Sequence, residues 1–261
     1  MKWLKPLTIV LAVSLAIVAA LPFFITFDDY IPQIEKVFST RLKEPVSIKS
    51  IRFALLPLPN VTVDGITVGT TDDIKVGKVR VMPDLFSLLQ STRVIKSIEI
   101  DSLILTQKAI DRIPGWAKAD DATPPQARVE SILLKNAMAK LGKANFGPFD
   151  ASVNLDDNGE PGEASIVTKD GKFRALIKPA KSKYLIDASA KAWTLPVGPA
   201  LVFDELIIKG VATLHDAELA EVSARLFGGT ATGKMNINWQ KELRLDGSLE
   251  LNQVETRELA A

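Results

Sequence analysis

From residue 128 onward, apolar and polar side chains alternate with period two in one short run after another. Phe149, Ala151, Val153 and Leu155 alternate with Asp150, Ser152, Asn154 and Asp156. Phe173, Ala175 and Ile177 alternate with Lys172, Arg174 and Lys178, and Tyr184, Ile186, Ala188, Ala190 and Ala192 with Asp187, Ser189 and Lys191. Leu206, Ile208, Gly210, Ala212 and Leu214 form a further face. Ala231, Gly233, Met235, Ile237 and Trp239 form the next, and Leu243, Leu245, Gly247, Leu249 and Leu251 the last. Successive side chains of a strand point to opposite faces, so each run reads as a half-buried strand. Turn signals separate them at Asp157-Asn158-Gly159, Asp170-Gly171, Pro179–Ser182, Asp216, Gly228-Gly229 and Lys241-Glu242. Strands joined by short turns form an antiparallel meander. Its last hairpin should pair Ala231–Trp239 with Leu243–Leu251, with Met235, Ile237, Leu245 and Leu249 on one face.

The first half is less regular. Ile31, Ile34, Val37, Phe38 and Leu42 recur at helical spacing and end before Pro45, which predicts an amphipathic helix of about three turns. That helix either covers the end of a core or lies on a membrane surface. Strands are predicted at Val46–Phe53, Val61–Val68, Ile74–Val81 and Ile95–Thr106, with a compact helical turn at Pro83–Gln90. The apolar phase flips at Asp64-Gly65 and again at Gly77, which predicts a turn or bulge at each. Residues 111–127 break all periodicity, and the stretch 109–127 reads as the linker between an N-terminal unit (28–108) and a C-terminal unit (128–261).

Before these units, Pro6–Phe27 runs for 22 residues without a charge. As a helix it would reach ~33 Å, enough for a hydrocarbon core of ~30 Å. Lys2 and Lys5 precede it and Asp28 and Asp29 follow, so the positive-inside rule puts the N-terminus in the cytoplasm and the body outside. A cleaved signal peptide, with Val18-Ala19-Ala20 as its cleavage site, is the competing reading. The uncleaved anchor is preferred, because apolar residues continue through Phe23, Phe24, Ile25 and Phe27.

Composition narrows the chemistry. The 261 residues are 47% apolar and 24% charged, with a net charge of +1. That argues against a disordered chain and against a basic nucleic-acid binder. There is one histidine, His215, and no cysteine, which excludes a His/Cys zinc site, a disulfide framework and a cysteine nucleophile. His215-Asp216 reads as a solvated hairpin turn rather than a catalytic pair. Asp72-Asp73, Asp120-Asp121 and Asp156-Asp157 lack the spacing of a calcium loop. Gly228-Gly229 reads as a hairpin turn rather than a phosphate loop, and Trp116 as a packed or interfacial aromatic. No acid, base and nucleophile converge, so no enzyme, cofactor or metal centre is expected.

No long amphipathic helix follows residue 128, yet a sheet with one apolar face must bury it against something. Pattern alone leaves three solutions: the sheet closes on itself as a sandwich or barrel, another protein covers it, or apolar ligands fill it.

Three stretches bear on that choice. The apolar N-terminus is followed by DDYIPQIEKVFSTRLKEPVSIKSIRFALLPLPNVTVDGITVG; VGKVRVMPDLFSLLQSTRVIKSIEIDSLIL comes next; AEVSARLFGGTATGKMNINW and LDGSLELNQVETREL close the chain. In that order they resemble the AsmA family of envelope proteins, related to chorein-type bridge-like lipid transfer proteins. Many members are much longer, and here an N-terminal unit is joined almost directly to a C-terminal one. The resemblance implies a chorein-like N-terminal element and a twisted antiparallel β-sheet curved into an open groove or partial barrel. It implies an inner-membrane, single-pass protein with a periplasmic body that handles phospholipid for envelope or outer-membrane biogenesis. The membrane, phospholipid acyl chains and an envelope protein are the partners so implied. On that reading the groove is lined by Phe149, Ala151, Val153, Phe173, Ala175, Ile177, Tyr184, Ile186, Ala188, Leu206, Ile208, Met235, Ile237, Leu245 and Leu249. About 12 strands at ~4.8 Å give it a length of roughly 60 Å, too short to cross an envelope unaided. The alternative is a non-catalytic structural or assembly factor with a self-packed sandwich or a protein-covered apolar face.

Overall fold

The computed structural model describes residues 27–254 except 56–57, 72, 91, 118–126, 142–143, 197–200, 214 and 239–243. Apart from Phe27, the predicted anchor lies outside the described residues, as do Asp72, Asp120-Asp121, Leu214, Trp239, the Lys241-Glu242 turn and Leu243. Among those described, no helix is long and apolar enough to cross a membrane.

The chain is mainly β: fourteen strands form a mostly antiparallel sheet whose order follows the sequence. It divides into compact units at Val129/Glu130.

In the first unit, α1 (Ile31–Leu42) precedes β1 (Val46–Ala54), β2 (Asn60–Val68), β3 (Ile74–Pro83) and β4 (Arg93–Thr106). Pro32 sits in the first turn of α1, where its missing N–H costs nothing, and Lys43 ends the helix in a left-handed conformation. The predicted interruptions at Gly65 and Gly77 are not turns. Both strands run straight through, and the pairing sum between β2 and β3 is the same on either side. The short β5 (Ala127–Val129) pairs parallel with β4.

The stretch read as a linker is in part a helix. α2 (Gln107–Ala117) continues directly from β4, with Pro114 in its interior. Among the described residues three ion pairs fasten it: Arg112 to Glu44, Arg112 to Asp73 at 3.6 Å, and Lys108 Nζ to Asp73 Oδ2 at 3.0 Å. Sequence periodicity missed it because Pro114 and Gly115 are poor helix interior residues; its first turns are anchored by the full burial of Ala109 together with these ion pairs.

The second unit holds β6 (Ser131–Leu141), β7 (Ala144–Leu155), β8 (Pro161–Thr168), β9 (Phe173–Ala180) and β10 (Lys183–Thr194). It continues with β11 (Val202–Ala212), β12 (Asp216–Leu226), β13 (Gly229–Asn238) and β14 (Arg244–Asn252). Each pairs antiparallel with its sequence neighbour. Positive φ marks the turns: Gly159, Gly171 and Gly228 adopt it at little cost, and Lys181 and Phe227 adopt it as well.

Candidate apolar site

Directly opposed residues of an antiparallel pair share a face, so the register alone locates the candidate lining. Four rows cross β7 to β14 or most of that width. The first is Ala151, Ile166, Ala175, Ala188, Ile208, Val222, Gly233 and Leu249. The second is Val153, Ala164, Ile177, Ile186, Gly210, Leu219, Met235 and Gly247. Phe173, Ala190, Leu206, Ala224, Ala231 and Leu251 make the third, and Tyr184, Ala212, Ala217, Ile237 and Leu245 the fourth. Phe149, two residues before Ala151, completes the set. All fifteen residues selected from sequence therefore fall on one face of the second unit.

That face is unevenly covered. Ala190, Phe203, Leu206, Ala224, Leu226 and Ala231 form one buried cluster, joined by Phe173, Trp193 and Ile208. Ala217, Leu219 and Val222 form a second, against Ile186, Met235 and Ile237. Both lie on β9 to β13. At the edge three of the four rows end in exposed leucines, with Leu245 59% accessible, Leu249 47% and Leu251 54%, and the second ends in Gly247. At one end of the rows stands a ladder of aromatic rings. Phe146 to Phe173, Phe173 to Trp193 and Trp193 to Phe203 have centroids 5.9, 5.1 and 6.4 Å apart.

Sequence reasoning missed several contributors. β12 was absent from the alternating runs, although Ala217, Leu219, Val222, Ala224 and Leu226 are all buried. A bulge at Ala220-Glu221 puts both of those residues outward, so Leu219 and Val222 are three apart and the period-two signal breaks. Each half of β12 still alternates, which was the available signal. Ala192, at φ +46°, causes a similar break, after which Trp193 and Phe203 join the apolar cluster.

The opposite face is mostly polar and ordered by cross-strand ion pairs. Lys209 meets Glu221 at 3.2 Å, Lys178 meets Glu163 at 3.2 Å, and Lys169 meets Asp150 at 2.6 Å. Partial burial pushes the Asp150 carboxyl up, but the Lys169 ammonium and the Asn136 N–H outweigh it and hold the group below its ordinary value. Leu185 and Val167 are exposed apolar exceptions on this face.

The polar candidates resolve into structural roles. His215 is exposed in the β11–β12 turn, where its N–H and that of Asp216 donate to Thr213 Oγ1. Asp156 Oδ1 accepts the N–H groups of Asn158 and Glu160, closing the β7–β8 turn. Asp73 accepts a hydrogen bond from the Thr71 hydroxyl and pairs with the cationic side chains of Lys108 and Arg112. The Thr71 hydroxyl and Lys108 hold its carboxyl below the ordinary range. No group of acidic or histidine side chains among the described residues is arranged to hold a metal ion. Trp116 lies in α2. Comparison with protein-family models, curated proteins and solved structures finds no match to this chain.

Proposed function

We propose that the chain is an inner-membrane-anchored, periplasmic, AsmA-like protein that handles phospholipid for envelope or outer-membrane biogenesis, with acyl chains lying along the apolar face of the second unit. One observation carries the reading: four apolar rows run unbroken across successive strands and reach the sheet edge still exposed. An acyl chain laid along such a row exchanges water for hydrocarbon, a gain of ~0.8 kcal/mol per buried methylene. Small residues (Ala151, Ala175, Ala188, Ala212, Ala217, Gly233) recur in the rows. No covalent step is involved, and head groups stay at the polar rim.

The amphipathic helix supports a membrane-proximal setting. α1 turns Glu35 and Ser39 toward β1 and leaves Tyr30, Val37 and Phe38 exposed, just after the 22-residue apolar span. Exposed aromatic and aliphatic groups beside an anchor suit the interfacial layer of a bilayer.

The test is site-specific photo-crosslinking in cells. A probe at Ile186, Ile208, Ile237 or Leu245 is expected to capture phospholipid, whereas one at Asp187, Lys209, Asn236 or Arg244, on the opposite face, captures none. If neither set captures lipid, the proposal fails and a self-packed or protein-covered assembly factor becomes the better account.

A further inference from the structure

The free edges of the two units are finished differently. In the first unit the edge of β1 is blocked by α1: the Val46 N–H donates to Ser39 Oγ at 2.9 Å and the Ile48 N–H to Glu35 Oε1 at 2.7 Å. Covering an edge in this way prevents pairing with another chain. In the second unit β14 pairs with β13 alone among the described residues, and all nine of its residues are exposed.

Its charges are also unanswered. Along the polar face of this unit, opposed strands carry opposite charges, as in Lys209–Glu221, Lys178–Glu163 and Arg225–Glu205. The outward residues of β14 are Arg244, Asp246, Ser248, Glu250 and Asn252. Neither Arg244 nor Glu250 makes an ion pair with another described residue.

We propose that β14 pairs edge to edge with β14 of a second copy, antiparallel about a two-fold axis through Gly247. In that register Arg244 stands opposite Glu250 of the other copy twice over, Leu245 opposite Leu249 twice, and Asp246 opposite Ser248 twice. Sliding by one pair in either direction sets Asp246 against Asp246 or Asp246 against Glu250, and like charges directly opposed are destabilising. Sliding by a single residue sets apolar against polar faces. Charge and hydropathy thus select the same register. Such an axis is perpendicular to the sheet, so the leucine faces lie on the same side and the apolar rows of one copy continue into those of the other. A head-to-tail arrangement would need the edge of β1, whose N–H groups are occupied by Ser39 and Glu35. The contact therefore closes as a pair and does not grow into a filament. The inference does not depend on lipid being the ligand.

The test uses the full chain in density-matched detergent, with mass measured by sedimentation. The wild-type chain is expected to be a dimer. Arg244→Glu and Glu250→Arg should each weaken dimerisation by about tenfold, through two like-charge pairs each, and the double charge swap should restore it. Both positions are exposed, and an unchanged circular-dichroism spectrum with a cooperative thermal transition verifies that the variants fold. Because the chain has no cysteine, the Leu245→Cys/Leu249→Cys double variant should oxidise to a covalent dimer while neither single variant does. A monomer at all concentrations, or a dimer that ignores both charge changes, overturns the proposal. So does crosslinking of the double variant to another protein or within its own chain.

Discussion

Gly65 of β2 and Gly77 of β3 face each other across the strand pair, between the Asp64–Lys78 and Ile66–Val76 pairs. At this level β1 to β4 switch apolar phase together. Ile51, Val63, Val79 and Ile100 form the row on one side, and Ile48, Ile66, Val76 and Leu103 the row on the other. Between them lie two polar or glycine rows, Ser50–Asp64–Lys78–Asp101 and Lys49–Gly65–Gly77–Ser102. Gly65 and Ser102 adopt positive φ, +64° and +58°, the local conformation at which the phase flips.

A Cβ at Gly65 would stand 2.9 Å from Lys49 Cβ in a left-handed backbone, whereas one at Gly77 would stand 3.0 Å from Ser102 Cβ without that backbone cost. Gly65→Ala is therefore expected to destabilise the chain by about 1–2 kcal/mol, and Gly77→Ala by less. Urea denaturation of the two variants gives the comparison; equal losses would contradict the assigned role of Gly65.

Leu206 and Leu249 lie on the same face but differ in cover, at 6% and 47% accessibility. Leu206→Ala should cost about 2–4 kcal/mol, because it opens a cavity beside Ala190 and Ala224. Leu249→Ala should cost under about 0.5 kcal/mol. Thermal unfolding at a protein concentration low enough to keep the chain monomeric measures both, and a similar loss at the two sites would mean that Leu249 is covered within the single chain.

Aspartate substitutions separate folding from ligand capture. Ala188→Asp puts an unpaired carboxylate into a buried position and should unfold the second unit. Leu245→Asp leaves the charge solvated, so the thermal midpoint should hold while crosslinked phospholipid falls. Retained lipid capture in a folded Leu245→Asp protein would argue against acyl chains reaching this edge.

Asp73 gives a pH dependence with a defined sign. Its hydrogen bonds from Thr71 and Lys108 lower its pKa from the ordinary 3.8. The folded state then holds fewer protons than the unfolded chain, so the contribution to stability is present above about pH 4 and lost as pH falls through the lowered value. Asp73→Asn should be less stable than wild type at pH 7, with the gap narrowing below about pH 4. A gap that is constant with pH would remove the carboxylate from the account.

For the apolar stretch 6–27, of which only Phe27 lies within the described residues, the expectation is a retained anchor. Carbonate-washed membranes should keep the chain, and the mature N-terminus should precede Leu21. A chain released by carbonate and beginning near Leu21 would instead identify a cleaved signal.

What the sequence by itself determined is the local order. Period-two alternation and glycine or aspartate turns located most strands of the second unit, because a half-buried strand must alternate wherever it runs straight. The same alternation put all fifteen candidate lining residues on one face, and it predicted that Ala231–Trp239 pairs with Leu243–Leu251, whose described part sets Ile237 opposite Leu245. Tertiary structure decided the rest. Whether Gly65 is a turn or a left-handed step within a strand depends on neighbours on both sides, each switching phase at the same level. β12 is hidden from a local reading because its bulge adds one residue, and only pairing with β11 and β13 shows that Leu219 and Val222 share a face. The helix at 107–117 is held by Glu44 and Asp73, residues more than thirty positions away, whose charges no local window includes. Cover is likewise collective: Leu206 and Leu249 are the same residue type in the same alternation. One is buried because β10 and β12 flank its strand, and the other is exposed because nothing described pairs beyond β14.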